Sequence, residues 1–283
     1  MDKAEIQEAF IKAGLSYLVP HVDALVQNSI RIFTKPVDER CVPVGTSKLG
    51  GMPDLPPRSR WPSWHGVPQS FIGQIRLEEL QSYDTQKLLP AEGMLWFFYA
   101  AQQDAYGDDP ADRGAWLILF ATSGLDKLQR RSAPSRLPRP ARFNPCSLSY
   151  TRELTMAVQP ELEISGLQWD NNEQRKYDDV FAAFHAADDL SIPHHRMLGF
   201  ADVLQDDMRE QSQLYSNGIT DWESPEAEKL AQDAHNWQLL LQVDTDESLG
   251  TRWASTGRLY YWLKNLKLNI GALTATWLVL QSE

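Results

Sequence analysis

Short runs of continuous apolar residues recur along the chain and predict the strands of a sheet. They have the length of strands, and runs of this kind are typical of strands that are buried on both faces. The runs lie at residues 71–75, 94–99, 116–121, 237–243, 258–263 and 276–281. Further strands are predicted at 29–33, 41–44 and 147–156. So many strands indicate a large sheet at the centre of the fold.

Helical periodicity lies between these runs. Residues 4–28 predict two helices, and residues 172–187 predict another, with Tyr177, Val180 and Phe184 on its apolar face. Pro225 is typical of the first position of a helix. Peripheral helices around mostly antiparallel strands predict the α+β class.

The strongest internal signal is a repeat. Four blocks of the first half recur in the same order in the second half, and the period is too long for a solenoid. The matched blocks are 48–51 with 197–200, 71–75 with 239–243, 93–98 with 257–262, and 116–119 with 277–280. Halves that bury their sheet faces against each other favour one domain over two. We therefore expect two intertwined, duplicated half-repeats.

This interpretation makes residues 1–283 a single domain. Residues 1–45 contain the N-terminal helices and first strands, 46–132 form the first repeat half, and 147–283 form the second. Residues 133–146 are rich in proline, and we expect them to form an exposed crossing between the halves.

The repeated blocks resemble the YwqG-like family, a bacterial domain of unknown function. The resemblance rests on KLGGMPDLP at 48–56, WP at 61–62, FIGQIRLEEL at 71–80 and LPAEGMLWFF at 89–98. In the second half it rests on HRMLGF at 195–200, QDDM at 205–208, WQLLLQVD at 237–244 and GRLYYW at 257–262. It implies an α+β fold with two intertwined repeats, and it implies no catalytic residues.

The charge of the chain narrows the choice of partners. The chain has 38 acidic and 27 basic side chains and a formal net charge of −11. Binding to nucleic acid depends on cations that neutralise phosphates, so this charge argues against nucleic acid and favours a basic protein partner. The arginines between 130 and 142 lie among prolines, and we expect them to form a solvated loop.

Several features predict a cytoplasmic protein with no membrane contact. Residues 1–10 carry acidic side chains and no apolar core, which predicts that they are not a secretory signal. The longest apolar runs are too short to span a bilayer. Cys41 and Cys146 are far apart and predict free, buried thiols in a reducing compartment.

Two glutamines, Gln74 and Gln242, occupy matching positions in otherwise apolar strands. A buried amide must find hydrogen-bond partners. Either both amides satisfy backbone groups where the halves meet, or both face a central cleft and bind a ligand there. In the second case His195, Arg196 and Asp206 are the other candidate ligand-binding residues.

Aromatic side chains in loops are candidates for protein binding. Trp61, Trp64 and His65 lie in a proline-rich loop, and Trp253 lies in a comparable loop of the second half. A tryptophan in a loop is a candidate anchor for a partner, and the alternative is a lid over the core.

The sequence lacks the usual signatures of catalysis and metal binding. It has no GxSxG motif, and the histidines at 185, 194 and 195 lack the spacing of metal ligands, so it predicts no metal and no cofactor. Asp244, Asp246 and Glu247 lack the spacing of a calcium loop, and we expect them to form a solvated acidic face.

Two hypotheses follow from these patterns. The first is a protein-binding module, such as an inhibitor or immunity-type protein, that captures another protein through its acidic surface and loop tryptophans. The second is an enzyme or small-ligand binder with a site at the seam between the repeats. The absence of a catalytic motif favours the first hypothesis. The partner and the oligomeric state do not follow from the sequence.

Overall fold

The apolar runs of the sequence form the central strands of one antiparallel sheet. The structure is a computed structural model that describes residues 1–186, 188–189, 191–266, 268 and 271–282. Among these residues the large sheet has eleven strands, and two small sheets have two strands each. The strands are β1 (Val26–Pro36), β2 (Lys48–Leu49), β3 (Asp54–Leu55), β4 (Ser63–Trp64), β5 (Val67–Pro68), β6 (Ser70–Arg76), β7 (Met94–Tyr99), β8 (Trp116–Ala121), β9 (Gln129–Arg130), β10 (Cys146–Met156), β11 (His195–Met197), β12 (Trp237–Asp244), β13 (Gly257–Lys264), β14 (Gly271–Ala272) and β15 (Thr276–Ser282).

Two long strands, β10 and β1, form the centre of the large sheet. They pair over their whole length, from Val26 opposite Met156 to Pro36 opposite Cys146. The strand order is β14-β8-β7-β6-β2-β10-β1-β11-β12-β13-β15. On its other side β1 pairs with β11, although β2 is the strand that follows it in the chain. On its other side β10 pairs with β2, although β11 is the strand that follows it in the chain. The first strand of each half of the chain therefore lies beside strands of the other half.

The sheet curls until its two ends meet and form a nearly closed barrel. At one point of closure β14 pairs with β8. At another, the Leu280 N–H of β15 donates to the Tyr106 carbonyl at 3.1 Å, and the Trp277 indole donates to the Gly107 carbonyl at 2.9 Å. Trp116 meets Trp277 edge to face, with ring centroids 4.9 Å apart. The barrel closes because these large aromatic side chains are removed from water together.

The described residues also form five α-helices, of which the first three cover one end of the central strand pair and the fourth packs on β12 and β15. They are α1 (Lys3–Ala13), α2 (Val22–Leu25), α3 (Asn171–His185), α4 (Arg209–Ser216) and α5 (Pro225–Ala231). Capping boxes at Asp2 and Asp170 start α1 and α3, and the Ser224 side chain caps α5. Phe10 of α1 stacks on Tyr177 of α3 at 5.9 Å. This contact binds the N-terminal helix to α3.

The α+β class and most predicted strands are confirmed, but the predicted strand at 41–44 is wrong. Glu39–Cys41 forms a 3-10 turn because the Asp38 side chain accepts a hydrogen bond from the Arg40 N–H. Pro43 has no N–H to offer to a neighbouring strand. The predicted helix 172–187 is observed as α3, and residue 187 lies outside the described residues.

Two predictions about exposure hold only in part. The segment that was expected to be an exposed crossing buries Leu137 and Phe143, because Phe143 packs edge to face on Trp253 at 5.5 Å. Cys41 is exposed, whereas Cys146 is buried in the sheet as expected. Among the described residues, no helix combines the length and apolar composition needed to cross a membrane.

Candidate functional site

A buried cluster of polar side chains surrounds Asp202, in the segment that follows β11. The Asp202 carboxylate lies 2.6 Å from Nη2 of Arg196 and 3.0 Å from Nδ1 of His194. The Asp202 N–H donates to Oε1 of Gln242 at 2.9 Å, and Nη1 of Arg258 donates to the Asp202 carbonyl at 3.0 Å. The backbone N–H, the backbone carbonyl and Oδ2 of Asp202 are therefore all held by this cluster.

The surrounding cations keep the Asp202 carboxyl ionised. Burial alone would raise the pKa of this carboxyl, but the charge of Arg196 and the hydrogen bond from His194 outweigh burial and hold the pKa well below its usual range. The cluster therefore contains a permanent ion pair.

The register between β11 and β12 determines the position of the Asp202 cluster. Gln242 of β12 lies directly opposite Arg196 of β11, so its amide reaches the segment that follows β11. Leu198 and Gly199 have φ values of +63° and +70°, and this turn brings Asp202 back over the strand. The amide of Gln242 also donates to the His194 carbonyl and, at 3.2 Å, to the Asp202 carboxylate.

A second cluster of the same geometry surrounds Asp54. The Asp54 N–H donates to Oε1 of Gln74, and Nε2 of Gln74 donates to the Thr46 carbonyl and to the Asp54 carboxylate, each at 2.8 Å. Nζ of Lys48 lies 3.5 Å from this carboxylate, and Nε of Arg130 lies 2.9 Å from it. Burial acts to raise the pKa of the Asp54 carboxyl, but hydrogen bonds from Arg130 and the Gly45 N–H lower it overall.

The geometry of the two clusters shifts the match between the first pair of sequence blocks by one residue. Lys48 lies opposite Gln74 just as Arg196 lies opposite Gln242, so Lys48 corresponds to Arg196 and not to Met197. The backbone agrees, because Gly50 has a φ of +66° where Leu198 has +63°. The sequence comparison matched leucine–glycine pairs by identity, whereas pairing across the sheet decides which residues are equivalent.

Replacing Gln74 or Gln242 with leucine is expected to lower the free energy of unfolding by about 1–3 kcal/mol each, because a buried N–H and a buried carbonyl lose their partner. Gln238→Leu, at an exposed position of the same strand as Gln242, is the control and is expected to change it by less than about 0.5 kcal/mol. Urea unfolding measures all three variants. An equal loss at Gln238 would show that the amide hydrogen bonds are not the cause.

The structure distributes the five candidate ligand-binding residues over separate places. Gln74 lies in the Asp54 cluster, and Gln242 and Arg196 lie in the Asp202 cluster. Asp206 is exposed and uses its carbonyl to accept from Gln281 at 2.8 Å. The amide pair therefore does not face a shared cleft, and each amide binds backbone groups within its own half.

His195 contacts instead one carboxylate and one backbone N–H beside the Asp202 cluster. The Asp244 N–H donates to Nδ1 of His195 at 3.1 Å, so the proton of the neutral ring is on Nε2, which lies 3.1 Å from Asp246. The Thr34 hydroxyl also donates to Asp246 at 2.6 Å. Burial acts to raise the pKa of the Asp246 carboxyl, but the hydrogen bonds from His195 and Thr34 lower it to about 2.

Asp244 and Asp246 line an open cleft of ≈600 Å³, which we call the acidic cleft. Glu247, Arg258 and Pro193 also belong to its lining. Nε of Arg258 lies 3.2 Å from the Asp244 carboxylate, so one acidic charge is paired. The expected solvated acidic face is therefore partly buried and concave.

The candidate tryptophans differ in their exposure. Trp61 is partly buried, meets Phe98 edge to face at 5.8 Å and donates to the Gln69 carbonyl at 2.9 Å. Trp64 stacks on the exposed His65 at 4.0 Å, at the turn between β4 and β5. Trp253 is fully buried, so the expectation that it anchors a partner is wrong. The turn at Trp64 and His65 is the part of this set that reaches solvent.

Residues 47–281, which contain both polar clusters and the acidic cleft, match the model of a family described as "Domain of unknown function (DUF1963)". The chain belongs to the DUF1963 family. None of the curated proteins compared with the chain matches it. The DUF1963 description names no activity, so the function has to be argued from the geometry of the site.

Three histidines of this DUF1963 chain, at positions 185, 194 and 195, each contact a carboxylate. His185 pairs with Asp188 at 2.8 Å, whereas His194 and His195 pair with Asp202 and Asp246. In the part of the chain that the structure describes, no three His, Cys, Asp or Glu side chains gather in a group able to hold a metal ion.

Sequence reasoning missed the role of Arg130. It was assigned to a solvated loop, but it lies in β9, which pairs with β3, and its guanidinium also donates to the Glu39 and Val42 carbonyls at 2.6 and 2.9 Å. An arginine in such a setting is structural. This role could not be recognised in the sequence, because Arg130 lies next to a proline-rich segment and because β9 pairs with a strand that is distant in the chain.

Proposed function

We propose that this DUF1963 protein binds a basic segment of another protein, and that the acidic cleft receives the cationic side chains. The observation that carries the proposal is the cleft itself, whose described lining includes three acidic residues, Asp244, Asp246 and Glu247, together with Arg258. An inhibitor that captures a basic protein is the role that fits this chemistry and the net charge of −11.

The fixed carboxylates support this proposal. Asp246 is held by His195, Thr34 and the Ser248 N–H, and its pKa of about 2 keeps it charged at neutral pH. Asp244 is held by the His194 N–H at 2.8 Å. Charges that are already oriented lose little freedom on binding, so they attract a cation at low entropic cost.

The size of the cleft also supports a peptide segment. A volume of ≈600 Å³ is large enough for a long basic side chain together with adjoining backbone, and it lies within the range of about 300–1,000 Å³ that ligand sites usually have. The turn that carries Trp64 and His65 is the second proposed contact, because a stacked aromatic pair offers rigid apolar area to a partner.

Replacing Glu247 with lysine is expected to weaken binding of a fluorescein-labelled arginine–glycine repeat peptide by about 3- to 10-fold, because one attraction is lost and one repulsion is gained at the exposed rim of the cleft. Fluorescence anisotropy at low salt measures the dissociation constant. Raising the salt concentration is expected to weaken the wild-type complex as well.

Glu226→Lys is the matched control for this measurement. Glu226 is exposed on α5, outside the acidic cleft, and its replacement changes the net charge by the same amount. We expect this variant to bind the peptide nearly as the wild type does. Equal weakening by both variants would mean that only the overall charge attracts the peptide, and the proposal would then fail.

The second candidate function is the binding of a small ligand at the seam between the two halves. The lining first proposed for it receives no support, because the residues lie in four separate places, namely Gln74, Gln242 with Arg196, His195, and Asp206. A different pocket favours this function, and it is described in the next subsection.

We also infer that the two halves descend from one duplicated ancestral half. The support is the matching strand order on both sides of β10 and β1, the bulges that follow Phe71 and Leu239, and the matching hydrogen bonds of Gln74 and Gln242. We also propose that the protein is YwqG-like, because of the sequence blocks quoted above. We propose a cytoplasmic location because both cysteines are free.

A further inference from the structure

A small pocket of ≈70 Å³ lies beside β12 and β13, away from the acidic cleft. The rings of Phe200, Trp237 and Trp262 belong to its wall, together with Arg209. Trp262 is only 3% exposed, and its Nε1 has no hydrogen-bond partner among the described residues. By contrast, Nε1 of Trp237 donates to a glutamine side chain at 2.8 Å. A buried indole N–H without an acceptor is a costly feature for a core residue, and it points to a ligand.

The corresponding place in the other half of the sheet is closed by the chain itself. Phe98 and Trp262 occupy matching positions. Phe98 lies opposite Phe71, just before the bulge of β6. Trp262 lies opposite Leu239, just before the bulge of β12. The indole of Trp61 covers Phe98 at 5.8 Å. The pocket beside Trp262 therefore lies at the position that Trp61 fills beside Phe98 in the other half.

The charges of the pocket decide which ligand fits. Arg209 is 4% exposed, donates to Glu163 and lies 3.0 Å from the Asp207 carboxylate, so two carboxylates face one guanidinium. An anionic ligand would add a third negative charge to this buried group. A cationic ammonium or guanidinium has no acceptor for the N–H of Trp262. The ligand must be uncharged and must both accept and donate hydrogen bonds.

We propose that this pocket binds a carboxamide group. Its carbonyl oxygen accepts from Nε1 of Trp262, and its NH₂ group donates to the carboxylates of Glu163 and Asp207. The volume of ≈70 Å³ fits such a group, since a water molecule occupies about 30 Å³ and a cavity of about 150 Å³ holds benzene. The flat amide lies between the aromatic rings of the wall. The carboxamide belongs either to a free small molecule or to a glutamine or asparagine side chain of a partner.

Acetamide is the probe for the free small molecule, with acetate as the charged control of equal size. The indole ¹H–¹⁵N signal of Trp262, assigned with the Trp262→Phe variant, is expected to shift saturably with acetamide, with a dissociation constant in the range of about 1–100 mM. Acetate is expected to leave it unchanged. If acetamide fails to shift this signal, or if acetate shifts it equally, the proposal is overturned.

Trp262→Phe removes the donor and keeps an aromatic ring, and phenylalanine already stands at the corresponding position 98. We expect it to weaken acetamide binding about tenfold, as measured by saturation transfer to the acetamide methyl protons. The control is Trp253→Phe, because Trp253 also has a buried Nε1 without a partner but packs on Tyr99 and Phe143. Equal weakening by the control variant would overturn the assignment to Trp262.

A pair of capped tripeptides distinguishes the two sources of the carboxamide. Acetyl-Gly-Gln-Gly-N-methylamide and acetyl-Gly-Ala-Gly-N-methylamide have no primary carboxamide in their caps, so the only primary carboxamide of the pair is the glutamine side chain. Tighter binding of the glutamine peptide than of acetamide assigns the pocket to a partner's side chain, and tighter binding of acetamide assigns it to a free small molecule. This test is independent of the arginine–glycine peptide, so the acidic cleft and the pocket stand or fall separately.

Discussion

Replacing Asp202 with alanine is expected to lower the free energy of unfolding by about 3–5 kcal/mol, because Arg196 loses its nearest carboxylate and Arg258 loses one of its two negative neighbours. Both arginines are largely buried, so neither can recover full hydration in the variant. Urea unfolding followed by tryptophan fluorescence measures the change. Asp206→Ala, at an exposed carboxylate four residues along the chain, is the control and is expected to change stability by less than about 0.5 kcal/mol.

The effect of Asp202→Ala is expected to depend on pH. The pKa of the Asp202 carboxyl is lower in the folded protein than the value of about 3.9 that an unfolded aspartate has. A carboxyl of this kind stabilises the fold at pH values above its unfolded pKa, and the stabilisation is lost as the pH falls toward the folded pKa. The difference between wild type and variant should therefore be constant near neutral pH and shrink below about pH 4. A difference that grows on acidification would contradict this account of the cluster.

Replacing Gly107 with alanine is expected to destabilise the protein by about 3 kcal/mol or more, through the left-handed backbone and a steric clash together. Gly107 has a φ of +75°, and a Cβ at this position would lie 1.9 Å from the Leu278 carbonyl oxygen of β15. The Gly107 carbonyl accepts from Trp277 at 2.9 Å, and the neighbouring Tyr106 carbonyl accepts from Leu280 at 3.1 Å. The added methyl group would therefore push the loop off the strand that closes the barrel.

Gly124→Ala separates the two contributions to this loss. Gly124 has a φ of +73°, close to that of Gly107, but a Cβ there would meet no atom within 4 Å. Its replacement is expected to cost only about 1–2 kcal/mol, the strain of the left-handed backbone. Thermal unfolding of both variants provides the comparison. Equal shifts in Tm would mean that the contact between the loop and β15 contributes little to closure of the barrel.

Much of the strand content could be predicted because the strands are continuous apolar runs. The runs at 94–99 and 116–121 coincide with β7 and β8, and the run at 237–243 is one residue shorter than β12. A strand buried on both faces has apolar residues at nearly every position, so its limits are visible in the sequence. Short strands such as β2 and β11 carry no such signal, because pairing with neighbours defines them.

The candidate site could be predicted only in part. Gln74 and Gln242 were recognised as matching positions because a polar amide interrupts an apolar strand. Their aspartate partners were not recognised, because the turns after β2 and β11 decide which residue returns over the strand. Trp253 was expected near the surface because it lies in a loop, yet it fills the core between Tyr99 and Phe143.

The sequence by itself determined the α+β class, the long strands, the capped helices and the acidic charge. Each of these depends on side chains that are near one another in the chain, or on a simple sum over all of them. Only the tertiary structure decided that β1 and β10 each lie beside strands of the opposite half. It also decided the closure of the barrel, the pairing of Asp202 with Arg196 and the concave shape of the acidic cleft. These depend on contacts between distant segments, whose geometry follows from strand register and from the burial of aromatic side chains.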